Sequence, residues 1–173
     1  MQGFILWLAQ GFGIGRIRVM PGTFGSLVGI LWVMLLLVPR NFWVYVAGTI
    51  FGVGISIWIC GAGERILKQR DPSSVVMDEI TAMPICFMAL FAKDWFKNGH
   101  LPEPQSLVLT PYWKMVLVVF VLFRIFDIAK PWPVRQSQDL HGGWGVTVDD
   151  VLAAFYVAAL SLIAAMWPFY KAV

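Results

Sequence analysis

From Phe42 to Gly63 the chain runs for about 22 residues without a charged side chain. A helix of ~20 apolar residues crosses a ~30 Å hydrocarbon core, so this run is long enough to span a bilayer. Further apolar segments run from Phe24 to Val38, Ile80 to Ala92, Tyr112 to Ala129 and Val151 to Tyr170. Hydrophobic residues make up 59% of the 173, against roughly half in soluble domains, which points to lipid as the solvent. The expected fold is all-α, a polytopic membrane helical bundle of short helices. It forms a single domain over residues 1–173, because no Ser/Gly-rich or Pro-rich linker divides the chain. Ile80 to Ala92, about 13 residues or roughly 20 Å of helix, is too short to cross alone. Its flank, Asp78 and Glu79, is therefore drawn below the surface or into a cleft between helices.

The glycines punctuate this plan. Gly11, Gly13, Gly15, Gly22 and Gly25, with Pro21, predict a loop or a run of tight turns through GFGIGRIRVMPGTFGS. Gly48 and Gly52 form a small-xxx-small pair suited to close helix contact. Gln2 to Leu8 is an apolar patch expected at the membrane interface. The first fifteen residues lack the basic start and small-residue cleavage site of a removable signal peptide. Cys60 and Cys86 lie in apolar runs at a spacing that makes no metal pattern, and are expected as reduced, inert thiols. A net charge of +3 without basic runs or a nucleic-acid-reading motif suits anionic lipid headgroups better than nucleic acid.

If all five segments cross, the loops at residues 11–26, 64–79 and 130–150 share one side. That side collects Arg16, Arg18, Arg65, Lys68, Arg70, Lys130 and Arg135. Arg40, Lys93, Lys97, Lys114 and Lys171 fall on the other. The positive-inside rule makes the first side cytoplasmic. It also holds Asp78, Glu79, Asp127, Asp149 and Asp150, so one face is charged and the other nearly bare. Tyr112 and Trp113, and Trp167 and Tyr170, stand where interfacial aromatic belts would place them.

Within Phe123 to Asp150 the charges are unusually dense. Arg124, Asp127 and Lys130 track one helix face at i, i+3 and i+6, and Pro131 closes that helix. An Arg124–Asp127 ion pair with Lys130 snorkelling to the headgroups is the bland account. Ionisable residues inside spans are by default functional. Asp149 and Asp150 precede the last apolar segment, where Thr147 as N-cap and Asp150 three residues on resemble a capping box. Capping accounts for one carboxylate and leaves the pair unexplained. Four or five carboxylates from three distant segments, on one side at similar depth, repel unless a cation holds them. All-oxygen ligation suits Mg²⁺, which keeps waters and substrate phosphate oxygens in its shell.

Lys130, Arg135 and Arg124 are candidate phosphate binders, and Thr23, Gly25 and Ser26 offer backbone N–H groups and hydroxyls for an anion nest. That loop is no Walker A sequence, because its Gly-Lys-Ser/Thr is missing. His141, before Gly142 and Gly143, reads more readily as a hydrogen-bonding loop residue than as a base. Other phosphatase chemistries lack their residues: Cys60 and Arg65 are one position too close for a Cys-dependent loop, no Asp-x-Asp occurs, and two histidines make no His-rich site. Metal-assisted attack by water is the economical mechanism. A small membrane transporter using the same buried charges is the alternative, but the far side offers only scattered lysines. A lipid phosphotransferase would need an Asp-Gly and Asp-x-x-x-Asp array that is absent.

P-G-T-x-G-S, V-V-M-D-E-I, F-R-x-x-D-x-x-K-P-W-P and H-G-G-x-G-x-x-x-D-D, in this order from about Gly11 to Phe155, closely resemble the phosphatidylglycerophosphatase A family of bacterial Mg²⁺-dependent lipid phosphatases. The resemblance implies hydrolysis of phosphatidylglycerophosphate to phosphatidylglycerol and inorganic phosphate, at the cytoplasmic face of the bacterial inner membrane. It implies Asp78, Glu79, Asp127, Asp149 and Asp150 as the acidic, metal-holding positions. Asp127, Asp149, Asp150 and Lys130 are implied as catalytic, and Arg124, Arg135, His141 and the Thr23 to Ser26 segment as substrate-binding.

Overall fold

A computed structural model of the chain describes residues 2–109 and 112–166, with side chains as far as residue 164. Trp167, Tyr170 and Lys171, to which the sequence assigned belt and far-side positions, lie outside the described residues. Within them the chain forms only helices: α1 (Gln2–Ala9), α2 (Pro21–Leu37), α3 (Phe42–Leu67), α4 (Met77–Asn98), α5 (Trp113–Ala129), α6 (Val134–Ser137) and α7 (Gly143–Met166). Short 3-10 turns lie at Ile14–Arg16 and Pro104–Leu107.

Among the described residues two helices are long and apolar enough to cross a membrane, α3 and the Gly143–Ala164 part of α7, while α2 is a shorter apolar helix. The Asn41 side chain starts α3 by accepting hydrogen bonds from the N–H groups of Trp43 (2.9 Å) and Val44 (3.2 Å), which satisfies two otherwise orphaned donors. The segment from Ile80 to Ala92 belongs to the longer α4, and residues 80–87 are all buried. It is the central helix, packed by α2, α3 and α7, so most of its apolar surface meets protein.

Glycine makes that packing close. A Cβ on Gly29 would stand 2.7 Å from the Cβ of Met83, and one on Gly25 would stand 2.9 Å from the Cβ of Val76. Gly48 faces Leu36 and Gly52 faces Trp32 and Thr81, so the expected small-xxx-small pair does line a helix contact. Lipid tails are as apolar as leucine, so dense van der Waals contact holds such helices together more than burial from water does. Around α4, Tyr45, Met83, Phe87, Phe91 and Phe123 are fully buried in one core.

Two expected boundaries are corrected. Pro-Gly-Thr-Phe-Gly-Ser is the first turns of α2 and not a loop before it: Pro21 occupies the first helical turn, where its fixed φ and missing N–H cost nothing. The last helix starts at Gly143, eight residues before Val151, so Thr147 is no N-cap. Its buried hydroxyl lies 3.4 Å from Ser56 Oγ of α3. Gly143 makes this possible, since a Cβ there would meet the Ile57 carbonyl oxygen at 1.8 Å.

Candidate active site

Five helix ends meet at one end of the bundle. The start of α2 carries Gly22, Thr23 and Ser26; the start of α4 carries Asp78 and Glu79; the end of α5 carries Arg124 and Asp127; the second turn of α7 carries Asp149 and Asp150. The end of α3 packs there too, Gly61 against Gly143. Carboxylates in the first turn of α4 also face the positive end of its dipole.

Asp78, Glu79 and Asp150 form the tightest group, with one carboxylate oxygen from each lying within 4.8 Å of the others. Asp78 and Asp150 are buried, at 4% and 3% exposure. Glu79 Oε2 is buried and has no hydrogen-bond partner. An orphaned carboxylate oxygen beside two buried carboxylates is costly unless something positive completes it. Asp127 adjoins Asp150 and is held from behind by Arg124, whose Nη1 lies 2.7 Å from Asp127 Oδ2. The same nitrogen donates to Ser26 Oγ at 3.4 Å and stands 4.0 Å from Glu79 Oε1. The Arg124–Asp127 ion pair expected from the i, i+3 spacing therefore exists, but it is tied into α2 and α4 and does not merely neutralise itself.

The neighbouring carboxylates Asp149 and Asp150 diverge, as adjacent residues on a helix must. Asp149 lies outside the three-carboxylate group. Its Oδ1 accepts from the Asp150 N–H at 3.0 Å, and its Oδ2 accepts from Lys130 Nζ at 2.5 Å and Gln138 Nε2 at 3.1 Å. Lys130 occupies the left-handed cap of α5 (φ 44°), and this turn, closed by Pro131, sends its side chain back toward α7 instead of to the headgroups. Burial works against the lysine's charge, but the hydrogen bond from Lys130 to Asp149 and the charges of Asp149, Asp127 and Asp150 outweigh it. Together they hold its pKa above the ordinary lysine value.

The α2 segment contributes unequally. Thr23 Oγ1 is buried and unpartnered. Ser26 donates to the Gly22 carbonyl at 2.8 Å and accepts from Arg124. Gly25 packs on Val76, which gives it a close-packing role on the α4 side of the helix. Arg135 and His141 are exposed and are not brought to the carboxylates. Arg135 lines a cavity of about 540 Å³ with Arg70, Asp71 and Gln138, and His141 an adjoining one of about 360 Å³ with Arg65 and Lys68. Sequence reasoning missed Gln138 and Asp71: single polar residues in connecting segments carry no periodicity or spacing to mark them. Gly22, which admits Glu79 and Arg124 against its backbone, was visible only as part of a turn.

The family described as phosphatidylglycerophosphatase A matches residues 7–165, a span that contains every carboxylate of this site. The chain belongs to the phosphatidylglycerophosphatase A family. It is 34% identical over 164 residues to phosphatidylglycerophosphatase A of Escherichia coli strain K12, covering 93% of this chain and 84% of the relative. The phosphatidylglycerophosphatase A of Haemophilus influenzae strain Rd is 30% identical over 161 residues, 92% and 88% of the two chains. A Bacteroides thetaiotaomicron relative with the provisional name phosphatidylinositol-3-phosphatase is 35% identical over 161 residues, 91% of each chain. No solved structure matches this member of the phosphatidylglycerophosphatase A family.

Proposed function

We propose that the chain hydrolyses the terminal phosphomonoester of phosphatidylglycerophosphate, releasing phosphatidylglycerol and inorganic phosphate. The observation that carries this reading is the cluster of Asp78, Glu79 and Asp150 at the same end of the bundle as two cations, Arg124 at 4.0 Å from Glu79 and Lys130 on the neighbouring Asp149: one group suited to a divalent cation, the other to a phosphate. The names of the Escherichia coli and Haemophilus influenzae relatives support the choice of lipid. A transporter would not need this pairing at one end of the bundle.

Asp78, Glu79 and Asp150 would hold Mg²⁺, and the unpartnered Glu79 Oε2 fits that role. Bound Mg²⁺ would supply charge neutralisation at the phosphoryl oxygens and acidify a water. The chain's own groups do the rest. Arg124, braced by Asp127, and Lys130, braced by Asp149, face the phosphate oxygens and stabilise the charge that develops on them. A carboxylate of the cluster takes the proton from the attacking water as its oxygen bonds to phosphorus. The bond from phosphorus to the glycerol oxygen breaks, and that oxygen leaves as the alcohol with the proton that the carboxyl group took and gives back through water. Low exposure keeps bulk water from screening these charges.

The excess of Arg and Lys around the charged end supports a cytoplasmic position for it, and with it the reading of a multi-pass enzyme of the bacterial inner membrane. The test is phosphate release from phosphatidylglycerophosphate and phosphatidylinositol 3-phosphate in detergent, with Mg²⁺ or EDTA, for wild type and Asp127→Asn. Release from the first lipid that is abolished by chelation and reduced at least a hundredfold by the substitution supports the reading. Activity indifferent to both, or confined to the inositol lipid, sinks it.

A further inference from the structure

Gln138 stands between α6 and α7, in the connection that follows Lys130 and precedes the carboxylate helix. Its Nε2 donates to Asp149 Oδ2 at 3.1 Å and to Asp71 Oδ2 at 3.3 Å. An amide nitrogen has two N–H groups, so each carboxylate takes one. The backbone of the same residue is gripped as well, because the Arg70 guanidinium donates to the Gln138 carbonyl. Arg70 and Asp71 are in turn fixed at the end of α3: Lys68 and Asp71 adopt left-handed φ values of 53° and 45°, and the Asp71 N–H donates to Glu64 Oε1 at 2.9 Å. The segment after α3 is thus strapped to the segment before α7 through one glutamine.

The strap ends on the buried oxygen that also receives Lys130. With the Asp150 N–H on Oδ1 and Lys130 and Gln138 on Oδ2, both oxygens of the Asp149 carboxylate are held and three of its roughly four acceptor directions are filled. Asp149 is 4% exposed, so without the amide its oxygen has no ready water to replace the lost donor.

We propose that Gln138 is a positioning residue: it holds the Asp149 carboxylate in the orientation that presents Lys130 to the substrate phosphate, and Arg70 and Asp71 hold Gln138. The inference rests on the phosphatase reading of the site. Gln138 touches no reacting atom, and its effect passes through Asp149 to Lys130. Outer partners that orient metal-ligating side chains typically matter by about 10- to 100-fold, and a loss on that scale is expected here.

The experiment is a double-mutant cycle on the full chain in detergent, with Gln138→Leu, Lys130→Ala and the pair, reading kcat and KM for phosphatidylglycerophosphate. Gln138→Leu is expected to lower kcat/KM by about 10- to 100-fold, and to cost almost nothing further once Lys130 is alanine, since residues acting through one another are not additive. Losses that multiply, or a Gln138→Leu enzyme equal to wild type, overturn the proposal. Should Gln138→Leu lower the melting temperature enough to obscure the kinetics, Asp71→Asn and Gln138→Glu replace it. Gln138→Glu sets a third carboxylate between Asp71 and Asp149 and must then show the larger loss, again absent in the Lys130→Ala background. Wild-type protein without phosphatase activity would instead remove the functional reading itself, before the cycle is begun.

Discussion

The backbone of Gly22 is pressed against the carboxylate of Glu79: a Cβ at position 22 would stand 2.2 Å from Glu79 Oε1 and 3.2 Å from both terminal nitrogens of Arg124. Two charged groups from α4 and α5 therefore converge on a spot that only glycine leaves open. Gly22→Ala must push both away. A displacement near 1 Å at such a site costs on the order of 100-fold in rate, and that fall in kcat/KM is expected with the chain still folded. Wild-type kinetics for Gly22→Ala would show that Glu79 and Arg124 do not act where they stand.

Lys130→Met leaves the Asp149 carboxylate buried with only neutral donors. Breaking a buried pair this way costs about 3–5 kcal/mol, and the lower end applies because the Lys130 side chain keeps 24% of its exposure. The melting temperature in detergent should fall along with activity, and Lys130→Arg should recover more stability than rate. The sign of the pH dependence follows from the raised lysine pKa. The pair's contribution is full below the ordinary lysine value of 10.5 and is lost as pH climbs through the higher folded-state value. A melting temperature for wild type that drops above that range, with Lys130→Met flat across it, checks the assignment.

The helix contact at Gly143 is structural and should separate cleanly from chemistry. A side chain there meets the Ile57 carbonyl at 1.8 Å and the Gly61 nitrogen at 2.7 Å. Gly143→Ala should cost at least the ~1–3 kcal/mol of an overpacked core, read as a lower melting temperature. Gly54→Ala is the control, because nothing lies within 4 Å of its added Cβ.

Membrane orientation is testable with the chain's own thiol background, since Cys60 and Cys86 are free and buried. Ser73→Cys at the charged end and Gln105→Cys at the other are both exposed sites. A membrane-impermeant maleimide should label Ser73→Cys only from the cytoplasmic side and Gln105→Cys only from the opposite side. Labelling of both from one side would overturn a crossing by α4, the helix between the two positions.

The sequence by itself determined the helical class, the spanning length of α3, the end of α5 at Pro131, and the five carboxylates and two cations that gather at one end of the bundle. These rest on local physics: uncharged runs of bilayer length, proline's block on the helix, and the improbability of charge in an apolar chain. It placed α7 too late and mistook the first turns of α2 for a loop, because glycines that break isolated helices are here the price of close helix packing.

Only the tertiary structure decided which way each charge turns. Asp149 and Asp150 are neighbours in sequence, yet one joins Asp78 and Glu79 while the other is claimed by Lys130 and Gln138. Arg135 and His141 carry the right chemistry for a phosphate but line the outer cavities. Side-chain direction depends on helix rotation and on what packs behind, and those are set by contacts between residues as far apart as Gly22 and Glu79, or Asp71 and Gln138, which no local pattern encodes.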